Sequence, residues 1–127
     1  MRREYRLRRS RDFERVRAVG RSWAHPLLLT YAYARGDQRL TRAGVVVGRR
    51  VGKATIRNRV KRRIREVLRA KYSTIRPGYD LIVIARPPAA FAPLDDLSAA
   101  LDQLLDRASI RARSTAAPEA RGNEAPS

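Results

Sequence analysis

Cysteine is absent from the 127 residues, which excludes disulfides and thiolate metal sites and, with them, a small cross-linked secreted scaffold. Histidine occurs once, at His25 just before Pro26. A single imidazole with no cysteine or second histidine supplies neither a metal site nor a Ser/His/Asp set, so a structural place at a strand entrance is expected for it. Acidic residues are scarce, 12 Asp plus Glu against 29 Lys plus Arg, for a formal charge of +17. A folded domain so charged repels itself unless an anionic partner neutralises it. No run approaches the roughly 18 apolar residues that cross a bilayer. The N-terminus begins like a signal peptide, but Leu7-Arg8-Arg9-Ser10-Arg11-Asp12 stands where the apolar segment should follow. A cytoplasmic protein with no membrane partner is expected.

Lysine is rare too, confined to Lys53, Lys61 and Lys71. The cations that are present are therefore arginines, whose planar fork grips phosphate through two hydrogen bonds or stacks on a base, and this points to nucleic acid. The length suits one domain. Ser10 is placed to cap a helix running to Val19, with Asp12 and Glu14 in its first turn, Phe13, Val16 and Arg17 on one face, and Gly20 as its stop. From Leu27 the residues alternate, with Leu29, Tyr31 and Tyr33 on one side, as in a strand with an aromatic face. Turn residues Arg35 to Gln38 and the run Val45 to Val47 predict a second strand, antiparallel to the first in a hairpin. Helical spacing returns from about Thr55 to Lys71, where Ile56, Val60, Ile64, Val67 and Leu68 form one stripe. Leu81 to Ala85 reads as a strand buried on both faces. Pro93 suits the first position of a last helix with a stripe of Leu94, Leu97, Leu101, Leu104 and Leu105. The expected fold is an α/β sandwich of the α+β class, a small mixed sheet with three helices in the order α-β-β(-β)-α-β-α. It forms one RNA-binding domain over 1–113, and 114–127 has almost nothing to bury and reads as a disordered tail.

The most informative stretch runs from Gly48 to Glu66, a glycine-bounded basic turn feeding an amphipathic helix whose only acid is Glu66. Solvated helix faces usually mix charge signs, and this one does not, so phosphate binding is the reading. Asn58, Arg62, Arg65 and Arg69 project opposite the apolar stripe, flanked by Arg57, Arg59 and Lys61. The glycines are not a P-loop, because GxxxxGK[ST] is missing.

Within this stretch Arg57-Asn58-Arg59-Val60-Lys61-Arg62-Arg63-Ile64-Arg65, preceded by Val47-Gly48-Arg49-Arg50-Val51-Gly52-Lys53-Ala54, resembles the RNR signature of bacterial ribonuclease P proteins. The similarity extends to Leu7-Arg8, to Asp12-Phe13 through Gly20, to Tyr31 and to Asp80 through Arg86, in order and spacing, from about residue 6 to residue 110. It implies a protein subunit with no catalytic residue of its own, partnered by ribonuclease P RNA and precursor tRNA and needing no protein partner. Mg²⁺ would be held by the RNA subunit and substrate. Arg49, Arg50, Lys53, Arg57, Asn58, Arg59, Lys61, Arg62, Arg65 and Arg69 would contact RNA. Phe13, Arg17 and Tyr31 would line a cleft for the 5′ leader, where aromatic rings can stack any base. Many members of the family carry an aromatic where this chain has Arg17. The resemblance also implies a left-handed crossover through the signature helix, although about 98% of parallel crossovers are right-handed.

Three other readings compete. A ribosomal-type RNA-binding protein would share the charge and size but lacks a reason for the signature helix and aromatic strand. A DNA-binding regulator wants several amide or hydroxyl side chains among its cations, and the exposed face has only Asn58. A protein-only nuclease lacks a hydrolytic constellation, and the adjacent Asp95 and Asp96 diverge by about 100° on a helix, which suits dipole compensation better than metal binding.

Overall fold

The computed structural model describes residues 5–111, so the expected tail at 114–127 and the domain end at 113 lie outside the described residues. In chain order the elements are α1 (Ser10–Val19), β1 (Arg21–Ala24), β2 (Leu28–Ala34), β3 (Arg42–Val47), α2 (Ala54–Lys71), β4 (Tyr79–Ala85) and α3 (Leu94–Arg107). Short 3-10 turns at Arg49–Val51, Tyr72–Thr74 and Pro87–Phe91 connect them. The class is the expected one, three helices on a four-stranded mixed sheet.

The strand order is β1-β2-β4-β3. β2 pairs antiparallel with β1 and β4, whereas β3 and β4 run parallel. The expected hairpin between Leu27–Ala34 and Val45–Val47 is therefore wrong: β4 lies between those strands. Leu81, Ile82 and Val83 are fully buried and Ile84 is half-buried. A strand apolar on both faces takes a central position with a neighbour at each edge, so it displaces the sequentially adjacent pair. The true hairpin joins β1 to β2, and β1 reads poorly in sequence because Arg21-Ser22-Trp23-Ala24 is short and mostly exposed. Two helix starts also shift by one residue. Arg9, not Ser10, is the residue before α1, and Pro93 precedes α3. In α1 the N–H groups of Asp12 and Phe13 bond to the Arg9 carbonyl, and the Arg9 side chain makes no cap bond.

Period-two alternation gives the sheet two different faces. On one, Leu28, Ala32, Ala43, Leu81, Val83 and Ala85 pack with Val60, Ile64 and Leu68 of α2 and Leu97, Leu101 and Leu104 of α3. Each leucine, isoleucine or valine side chain moved from water into this layer contributes roughly 1.5–3 kcal/mol. The other face carries a smaller cluster of Leu7, Val16 and Ile82, with Phe13, Tyr31, Tyr33, Val46 and Ile84 only half-buried around it. Among the described residues, α1 is the only helix over this face, with Leu7 of the segment before it packed alongside. Its ten residues span about 15 Å, against roughly 23 Å for the seven-residue strands β2 and β4. Part of the aromatic face is left open.

Candidate nucleic-acid interface

The basic helix begins where β3 ends. Gly52, at φ 152°, takes a backbone conformation other residues avoid, and this sharp entry lets Lys53 precede α2. No acid occupies the first turn, so the positive end of the helix dipole adds to the cations around it. Arg49, Arg50, Lys53, Asn58, Arg59, Arg62 and Arg69 are exposed. Among the described residues, no side chain of α2 other than Lys71 forms an ion pair; Lys71 lies 2.9 Å from Asp102 of α3. The opposite stripe of Val60, Ile64, Val67 and Leu68 is buried as expected, with Ile56 half-buried at its start.

Arg57, Lys61 and Arg65, four residues apart along one flank, are half-buried. This separates Arg65 from the outward face on which helical projection alone puts it. The chain before α1 returns alongside β3, with the Leu7 N–H bonded to the Ala43 carbonyl at 3.0 Å, and brings Arg6 up against Arg65. Burial, and then the repulsion of Arg6, lowers the Arg65 pKa from its ordinary value. Tyr5 helps to hold this segment in place, stacked on Tyr72 with ring centroids 4.2 Å apart.

Arg6, Arg8 and Arg65 line a groove together with Leu7, Phe13 and the β3 residues Ala43, Gly44 and Val45. A methyl group on Gly44 would overlap Cζ and Cε1 of the Phe13 ring. The ring thus sits directly on the β3 backbone, in a seat only glycine leaves open. Farther along α1, the Arg17 guanidinium stands over the Tyr31 ring at 5.8 Å from its centroid. The three residues expected to form the cleft, Phe13, Arg17 and Tyr31, therefore share the open face of the sheet.

What fastens α1 to this face was not visible in the sequence. Asp80 is completely buried on β4 and accepts from Arg35 at 2.6 Å and from both Nε and Nη2 of Arg42, at 3.0 and 2.9 Å. Arg42 reaches on to Asp12 of α1, 3.5 Å away, while Asp12 holds Arg15 at 2.7 Å. Asp12 is thus buried in an ion-pair chain rather than placed merely to compensate the helix dipole. Hydrogen bonds to Asp80 raise the Arg42 pKa against the opposing effect of burial. For Arg35 burial is the largest single influence and acts downward, but the bonds to Asp37 and Asp80 together outweigh it and the net shift is upward. Arg35 also donates to the carbonyls of Tyr79, Arg39 and Leu40, tying the β2–β3 connection to the sheet end.

His25 lies in the β1–β2 turn, where its Nδ1 accepts the Leu27 N–H at 3.0 Å, as a structural residue would. Among the described residues, no three His, Cys, Asp or Glu side chains are grouped to hold a metal ion, and no helix is long and apolar enough to cross a membrane. Asp95 and Asp96 sit in the first turn of α3.

The architecture and the sequence have close counterparts. The chain is 42% identical over 111 residues to the ribonuclease P protein component of Roseiflexus castenholzii, covering 87% of this chain and 90% of that one. To the ribonuclease P protein component of Herpetosiphon aurantiacus it is 45% identical, covering 87% and 89%. The RNase P protein of Staphylococcus aureus superposes with a TM-score of 0.76 at 32% identity, over 84% of this chain and 96% of that one. A mutant of that protein with defective mRNA degradation activity matches equally well, at 31% identity over 84% and 89%. The family model for ribonuclease P matches residues 1–109, and with the basic helix and the half-open aromatic face already in place, the chain belongs to the ribonuclease P protein family.

Proposed function

We propose that this chain is the protein subunit of ribonuclease P, binding the catalytic RNA through the exposed cations of α2 and its preceding turn and holding the 5′ leader of precursor tRNA along the groove between α1 and the sheet. The observation that carries this reading is the pairing of two unlike surfaces on one small domain. One is a helix face of uncompensated arginines, suited to positioning contacts with phosphate. The other is the half-open sheet face, where Phe13, Tyr31 and further arginines suit a single strand. On this reading the hydrolysis is an endonucleolytic cut made by the RNA subunit, with Mg²⁺ held by that RNA and the substrate, and the complex works in the cytoplasm. The chain's own part is to bind, orient and neutralise.

A direct nuclease role, of the kind suggested by the Staphylococcus aureus mutant, would need a general acid or base aimed at a phosphodiester. The best-placed candidates are committed elsewhere: Asp12 and Asp80 to arginines and His25 to a backbone N–H. The test is reconstitution. RNA-free protein should leave both precursor tRNA and mRNA intact, and precursor tRNA should be cut to its mature 5′ end only after cognate ribonuclease P RNA and Mg²⁺ are added. Cleavage of either substrate by RNA-free protein, abolished by mutating the chain, would overturn the division of labour.

A further inference from the structure

Two arginines of α1 stand over two tyrosines of β2, and they differ in one respect. Arg15 lies 5.5 Å from the Tyr33 ring centroid, but its Nη2 is spent on Asp12 at 2.7 Å. Arg17 lies 5.8 Å from the Tyr31 centroid, is exposed, and has no carboxylate within ion-pair distance among the described residues. The same helix and strand thus provide a compensated and an uncompensated copy of one arrangement. Asp12 and Asp80 neutralise Arg15 and Arg42, so among the described residues Arg17 has no counter-charge at the Tyr31 end of the open face, and Arg6, Arg8 and Arg65 lie beside Phe13.

We propose that Arg17, stationed on the face of Tyr31, grips a phosphate of the single-stranded leader, so that this end of the groove reads backbone charge and not base identity. This deepens the leader-binding reading above and rests on it. A guanidinium over a ring is held by the π-electrons beneath it and keeps its N–H donors for an anion. A base could reach the same face of Tyr31 only by displacing it. Tyr31 then serves as a pedestal rather than a stacking platform. The chain should accept leaders of varied sequence at that position and depend on their charge.

The experiment uses the holoenzyme assembled from the full chain, cognate ribonuclease P RNA and Mg²⁺. Precursor tRNAs carry either one abasic nucleotide or one uncharged methylphosphonate linkage, moved stepwise along the leader. In the unmodified protein one methylphosphonate position should weaken binding about five- to tenfold, while abasic nucleotides around it change affinity less than about twofold. Arg17→Gln should bind the unmodified precursor correspondingly less tightly and lose the methylphosphonate penalty. Arg15→Gln, exposed and on the compensated pair, should retain it. Circular dichroism establishes that both variants fold, and the scan on the unmodified protein stands even without them. An equal penalty in Arg17→Gln overturns the inference, as does a base-removal penalty larger than any linkage penalty. If the unmodified holoenzyme binds leader-bearing precursor no better than mature tRNA, the leader reading falls and this inference falls with it.

Discussion

Phe13 was recognisable in the sequence as a groove residue only through its resemblance to a family position; its seat was not. Gly44 lies inside what reads as an ordinary β-strand, and nothing in the pattern shows that a ring from α1, about 30 residues earlier, presses on its Cα. Gly44→Ala should therefore act through Phe13. Overpacking of this kind costs about 1–3 kcal/mol, read as a lower urea midpoint, and the displaced ring should weaken leader-bearing precursor several-fold while sparing mature tRNA. Equal losses for both RNAs would show that Gly44 supports the fold and not the groove. Asp80 illustrates the same limit more severely. Alternation puts it on the open face of β4, where a carboxylate looks harmless, yet Arg35 from the β2–β3 connection and Arg42 from the start of β3 both bring their guanidiniums to it. Asp80→Asn keeps the shape but leaves Arg35 and Arg42 short of their buried counter-charge. We expect a destabilisation of about 3–5 kcal/mol, measured by chemical denaturation. A loss below about 1 kcal/mol would mean that water reaches those arginines freely.

At the scale of elements, α2 carries two functions on adjoining flanks. Arg62 faces outward and is exposed, whereas Arg65, one turn on, is half-buried in the groove beside Arg6. Arg62→Gln should weaken binding of the RNA subunit regardless of substrate and flatten the slope of log K against log salt by about 1. Arg65→Gln should leave assembly nearly intact and weaken leader-bearing precursor instead. If both variants lose RNA-subunit affinity alike, the helix presents a single surface. The helical stripe, the basic face and the two-faced burial of β4 were legible because each is a local periodic pattern within one segment. The strand order was not, because it depends on which strand can bear burial at both edges. That preference made β4 central, left β3 at the edge, and replaced the expected hairpin with an antiparallel β2–β4 pair and a parallel β3–β4 pair bridged by α2. The flank on which Arg65 sits was hidden for a related reason: the segment Tyr5–Arg8 that covers it is distant in sequence.

Over the whole molecule, charge is sorted rather than spread. Several of the few acids are spent on ion pairs, the buried Asp12 and Asp80 fastening α1 to the sheet, and the more exposed Asp37 holding Arg35 and Asp102 joining Lys71 and Arg111. Among the described residues, the cations left without an acidic partner therefore gather largely on the turn before α2, its outer face and the groove. Arg65, lowered in pKa by burial and by Arg6, is a local sign of their mutual repulsion. Folding and RNA binding should consequently respond to salt in opposite senses. Added salt screens repulsion within the free protein over about 8–10 Å and should raise its thermal midpoint. The same salt weakens RNA binding, because fewer counterions are released to advantage. Between 50 and 300 mM NaCl we expect the midpoint of the free protein to rise by about 3–5 °C, equivalent to roughly 1 kcal/mol for a domain of this size. Inorganic polyphosphate at low salt should reproduce that gain at far lower concentration, since a polyanion that binds only the folded face stabilises by mass action. A midpoint that stays flat with both additives would mean that the arginines are far enough apart to ignore one another. The excess charge would then serve association alone, with no penalty to the fold.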